Sequence, residues 1–175
     1  MMLPLLRRTL APRGQTPIFV SPGGHRDKVS LIAALSISPR GRRLGLYFSS
    51  LVNGNYDGYT VAWFVRELLK HLRGNVIIVW DRGQMHCGPE LNQLRAEFPR
   101  LSIERLPPYA PDLNPVEHLW NFLKWQQLPN FAPRNVTHLE QEAYERLHAT
   151  RYNNRRLLSF FDGADLPFPT RALAS

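Results

Sequence analysis

The hydrophobic period of this chain changes between residues 51 and 61, and that change excludes both an all-helical and an all-β fold. Before it, residues 29–36 (VSLIAALS) and 44–51 (LGLYFSSL) read as two strands joined through a Ser38-Pro39-Arg40-Gly41 turn. After it, Val61, Phe64, Val65, Leu68, Leu69 and Leu72 recur at helical spacing, and Gly74 is placed to cap that helix. Residues 76–80 (VIIVW) form a short, wholly apolar run of the kind found in central strands, and the run ends in Asp81. A helix is expected from Pro89, with Leu91, Leu94 and Phe98 on one face and Pro99 as its stop; residues 101–106 give a further strand. A rigid proline-rich loop, residues 107–111, leads to a helix beginning at Pro115, and a last amphipathic helix covers about residues 136–152. Residues 16–20 offer one more short strand. The fold class is α/β, one domain over residues 1–161 followed by a loose tail over 162–175.

At 175 residues and 43% hydrophobic content, the chain is long and apolar enough to bury a core. No apolar run approaches the roughly 20 residues that span a bilayer. The apolar opening, residues 1–6, is followed by Arg7 and Arg8, the reverse order of a secretory signal, so a cytoplasmic protein is expected. The net charge is +8 and most of the cations are arginine, whose guanidinium fork matches phosphate; the charge points to nucleic acid, with an ordinary basic protein as the alternative. A single cysteine, Cys87, excludes an internal disulfide and a cysteine-based zinc cluster. Neither a glycine-rich phosphate loop nor a helix-turn-helix module is legible.

Two carboxylates stand out. Asp81 follows the C-terminal end of an apolar strand, where ligands collect in α/β sheets, although Asp-Arg-Gly is also good turn chemistry. Glu117 stands in Asn114-Pro115-Val116-Glu117, which reads as an N-cap, a first-turn proline and a capping-box glutamate. The other reading turns Glu117 toward the strand end that holds Asp81. As a pair, a strand carboxylate and a helix carboxylate suit hard divalent ions in phosphoryl transfer, where a third ligand normally completes the site.

The segment PPYAPDLNPVEHLW, residues 107–120, closely resembles the signature of mariner-like and related insertion-sequence transposases of the Asp-Asp-Glu superfamily. VIIVW with Asp81 and then His86 resembles the segment of that family's second aspartate, with 35 residues between Asp81 and Glu117. RRTLAPRGQTP (residues 7–17) and GGHRDKVSLIAALS (23–36) resemble stretches that follow its first strand. The resemblance implies an RNase H-like mixed sheet flanked by helices. It also implies Mg²⁺- or Mn²⁺-dependent cleavage and joining of double-stranded DNA at transposon ends, with Asp81 and Glu117 as catalytic metal ligands. It puts the first catalytic aspartate and its strand before Met1; Asp27, the nearest downstream acid, matches no catalytic position. A transposase catalytic fragment inactive alone is therefore expected, one that self-associates or pairs with the upstream part of a transposase. A non-catalytic remnant that binds DNA or subunits and interferes with intact transposase is the alternative, and a nuclease of the same fold is a third reading that the proline-rich signature disfavours.

Other residues carry two readings each. His86 fits the family pattern, or is structural. Lys124, seven residues after Glu117, meets DNA phosphate or is solvated. Arg40, Arg42 and Arg43 at the hairpin turn, and Arg151, Arg155 and Arg156 near the last helix, contact a DNA backbone or are solvated ends. Trp63, Trp80, Trp120 and Trp125 are read as core.

Overall fold

The computed structural model describes residue 13 and residues 27–39, 41, 43–81 and 88–166. The strand expected at 16–20, His86, Cys87, Arg40 and Arg42 lie outside the described residues.

The hairpin forms as expected. Strand β1 (Val29–Ile37) pairs antiparallel with β2 (Leu44–Val52) in a register that sets Ala33 against Phe48. Its turn closes through Gly41, whose amide donates to the Ser38 carbonyl at 2.8 Å and whose φ of 65° suits a residue without Cβ. At the other end, Asn53 carries a positive φ of 53° and is pinned by Lys28 and Asp27, which bonds the Asn53 amide side chain at 3.1 Å. Alternation along β1 serves two cores. Leu31, Ala33 and Leu35 face a cluster of Leu46, Leu119, Phe122, Leu147, Leu157 and Phe160, whereas Ile32 faces a second cluster built on Val61, Val65, Leu69, Trp80, Leu91, Leu94 and Leu101.

Helix α1 (Gly58–His71) starts with a reciprocal cap in which Asp57 accepts from the Thr60 amide at 2.8 Å and the Asp57 amide donates to the Thr60 hydroxyl at 2.8 Å. Its apolar stripe is buried. Trp63 falls 200° around the helix from Val61 and stands half exposed, a correction to its reading as core; Trp125 is likewise exposed, while Trp80 is buried and Trp120 packs against the first cluster. Gly74 does not cap α1. The helix ends in an extended Leu72, and Arg100 closes it instead, donating to the carbonyls of Leu69, Leu72 (2.9 Å) and Gly74 (2.8 Å).

Strand β3 (Val76–Trp80) runs parallel to β4 (Leu101–Arg105), with α2 (Pro89–Glu97) between them, and α1 and α2 cover one face of this pair. Among the described residues the strands form two two-stranded ladders, β1–β2 and β3–β4, so β1 and β3 each have one edge without a strand neighbour. Ile77 and Val79 on the outer face of β3 are 68% and 56% exposed. Then follow α3 (Pro115–Phe122), a π-helical turn over Leu123–Gln127, α4 (Val136–Arg151) and α5 (Asn154–Gly163), the last three helices packing on the hairpin. Helix α5 is a departure from the expected tail after residue 161. It reaches Gly163, and Ala164 beyond it is buried, because Leu157, Phe160, Phe161 and Ala164 make an i, i+3, i+4, i+7 stripe. No helix among the described residues is long and apolar enough to cross a membrane.

Candidate active site

Both ladder strands deliver the chain to one place. The Leu106 amide donates to the Trp80 carbonyl at 2.9 Å, so β4 runs into the proline-rich loop at the level where β3 gives way to Asp81. Prolines 107, 108 and 111 fix their φ angles near −65°, and Tyr109 between them takes a left-handed φ of 58° with its ring fully exposed. The loop closes in a 3-10 turn, Pro111–Leu113, tied by the Asn114 amide to the Pro111 carbonyl at 2.9 Å.

Asn114 then caps α3. Its side chain accepts from the Val116 amide at 3.1 Å, and its carbonyl accepts from the Glu117 amide at 3.0 Å. The capping box expected for Glu117 is absent: among the described residues its carboxylate has no hydrogen-bond or ion-pair partner. Two amides satisfied by Asn114, with proline at the first helical position, leave little for a second acceptor to do. Leu119, fully buried two positions on, anchors α3 in the first cluster. Two helical positions are a rotation of about 200°, so burying Leu119 turns Glu117 away from that core.

Glu117 faces a cleft of about 140 Å³, lined by Asp81, Asn114, Glu117 and residues 106–111. The structure thus brings the two singled-out carboxylates to one cleft. Asp81 is exposed and Glu117 is half-buried. Lys124 lies on the exposed side of the π-helical turn and does not line the cleft, and Asp27, bonded to Asn53, does not either. One residue that sequence reasoning passed over completes the mount. His118 approaches the Asp112 carbonyl with Nε2 at 3.4 Å, bracing the 3-10 turn against α3. The same imidazole packs on α5, where a Cβ built on Gly163 would meet its Nδ1 at 3.1 Å.

Two carboxylates are hard oxygen donors of the kind that hold Mg²⁺ or Mn²⁺ together with substrate phosphate. Among the described residues no group of three or more His, Cys, Asp or Glu side chains comes together. The two cleft carboxylates fit such an ion.

The family model described as DDE superfamily endonuclease matches residues 4–140. A search of curated proteins gives no match. Among solved structures, the crystal structure of the Mos1 strand transfer complex is similar, with a TM-score of 0.61 at 16% identity, covering 93% of this chain and 46% of that one. The chain thus spans about half the length of the solved chain it matches, and the likeness shows a shared RNase H-like mixed α/β fold.

Proposed function

This chain belongs to the DDE superfamily endonucleases, and from that membership we propose that the Asp81–Glu117 cleft is the phosphoryl-transfer site of a DNA transposase catalytic domain. The observation that carries the reading is the Glu117 carboxylate, released from helix capping and set in the same cleft as Asp81. The substrate is double-stranded DNA at transposon ends, in keeping with a net charge of +8.

Asp81 and Glu117 would hold a divalent ion, Mg²⁺ or Mn²⁺, which when bound would supply positive charge to the scissile phosphate and acidify the attacking hydroxyl. The protein's own part is positioning. The β3–β4 ladder fixes Asp81, and Asn114 with buried Leu119 fixes the rotation of Glu117. Residues 107–111 line the cleft, and their prolines, with φ fixed, make that wall stiff. Tyr109 stands at the rim, where its ring meets a sugar or base of the incoming strand.

Two carboxylates grip an ion loosely, so the reading includes inactivity of the chain alone and its completion by a third acid from an upstream part of a transposase, through pairing or self-association. The test is Mg²⁺- and Mn²⁺-dependent cleavage of a plasmid carrying the element's ends. The 175-residue chain is compared with a form extended upstream through a strand bearing the family's first aspartate. Cleavage by the extended form alone, lost in Asp81→Ala and Glu117→Ala, is the expected result. Cleavage by the short form, abolished by Asp81→Ala, overturns the incompleteness. Absence of cleavage by either overturns the endonuclease reading in favour of a remnant that only binds DNA or other subunits.

A further inference from the structure

The C-terminal ends of α1 and α4 meet around Tyr47 on β2. The imidazole of His71 stacks on the Tyr47 ring at 5.8 Å, and the Arg151 guanidinium lies 5.5 Å from the same ring. Along α4, Tyr144 stacks on His148 at 6.0 Å and His148 meets Tyr152 edge-on at 5.1 Å. Tyr144 and Tyr152 are 53% and 71% exposed. This end of the domain is not the cleft. Helix α1 descends from the end of β2 to the start of β3, whereas Asp81 follows the far end of β3.

Exposed cations adjoin these helix ends in sequence. Arg43 and Arg73 flank β2 and α1, and Arg151 and Arg155 flank the α4–α5 junction; all four are exposed and none is in an ion pair among the described residues. The nearby acids are already engaged: Glu67 with Lys70, Glu142 with Arg146, and Glu145 with the Gln141 amide. The helix dipole accounts for part of this pattern. His71, His148 and Arg151 sit in last turns, where a cation is favoured. It does not account for Arg155. That residue opens α5, whose first turn holds no acid, and there the dipole opposes positive charge. Its neighbour Arg156 spends its guanidinium on the Phe122 ring at 4.6 Å, but Arg155 has no such use. A cation set against a dipole, beside unpaired arginines and exposed tyrosines, fits an external polyanion.

We propose that this end of the domain is a second DNA-contacting surface, separate from the cleft, in which Arg73, Arg151 and Arg155 meet phosphates of a duplex and Tyr152 packs on its backbone. The inference rests on the reading of DNA as the substrate and deepens it: one domain holds DNA at two places. Phosphate contacts position a duplex without reading its sequence, so the surface orients DNA that the cleft acts on, or holds a second segment of it.

The experiment is a salt titration of the full chain with a random duplex. The parent is compared with Arg73→Gln/Arg151→Gln/Arg155→Gln, with the matching triple lysine variant, and with Tyr152→Ala. The glutamine triple is expected to bind at least tenfold more weakly at low salt. Its slope of log affinity against log salt should shrink by about 0.9 for each phosphate that the surface no longer neutralises. The lysine triple keeps the slope, and Tyr152→Ala weakens binding at constant slope. A glutamine triple with the parent's slope overturns the surface while leaving DNA as substrate. A parent that does not bind duplex at low salt overturns both. Hydrogen exchange on the parent gives an answer independent of variant folding: DNA should protect amides over residues 148–156, and protection elsewhere without it overturns the proposal.

Discussion

Asn114 takes the Val116 amide at 3.1 Å and thereby leaves the Glu117 carboxylate to the cleft. Capping falls to Asn114, and the proposed chemistry falls to the carboxylate three positions on. Asn114→Ala is expected to cost about 1 kcal/mol of stability. Glu117→Gln, which removes no hydrogen bond, should stay within about 0.5 kcal/mol of the parent. Urea unfolding measures both, and equal destabilisation by the two changes would return Glu117 to a capping role.

Ion binding should follow the same division. Mn²⁺ titration, read by water-proton relaxation, is expected to give weak binding that disappears in Asp81→Asn and in Glu117→Gln and persists in Asn114→Ser. Binding that survives the double change places the ion elsewhere.

Tyr109 holds a left-handed backbone at the cleft rim. For a residue with Cβ that conformation costs about 1–2 kcal/mol, so Tyr109→Gly should raise the unfolding midpoint while weakening DNA cleavage by the completed enzyme. A glycine variant both less stable and fully active would remove the ring's proposed role.

At the start of α1, the Thr60 amide and then its hydroxyl hold the Asp57 carboxyl below its usual 3.8. A depressed folded-state value means that this contribution to stability is complete above pH about 4 and is lost as the pH falls through the folded value. Asp57→Asn, which caps without titrating, should flatten the acid limb of the stability curve. An unchanged limb assigns acid sensitivity to other carboxylates.

What was legible in the sequence was local. VIIVW and Asp81, Asn114-Pro115 as a helix start and the β1–β2 hairpin are written in neighbouring residues, and the strand and helix bounds followed within a residue or two. Helix α5 was not, although its stripe from Leu157 to Ala164 is present. The last expected helix stops near residue 152, and the stripe beyond Asn153 is too short to stand out until the cluster that receives Phe160 is known. Trp63 has the aromatic bulk of a core residue, but its place off the apolar stripe of α1 leaves it half exposed. The function of Glu117 was undecided locally, since a capping glutamate and a cleft glutamate share one sequence context. Which of them it is depended on the rotation imposed by Leu119 packing in a distant cluster.

The Arg100 side chain carries a consequence for the order in which the chain acquires its structure. It closes the last turn of α1 from a position 28 residues beyond Leu72, at the doorstep of β4. During synthesis, α1 emerges well before its own terminus can be closed, and its final carbonyls stay hydrated until the second ladder zips. The helix end and the parallel strand pair therefore mature in one event. A substitution at Arg100 will register as slower assembly of the β3–β4 half if that event is the barrier, and as faster loss of the native state if it comes after.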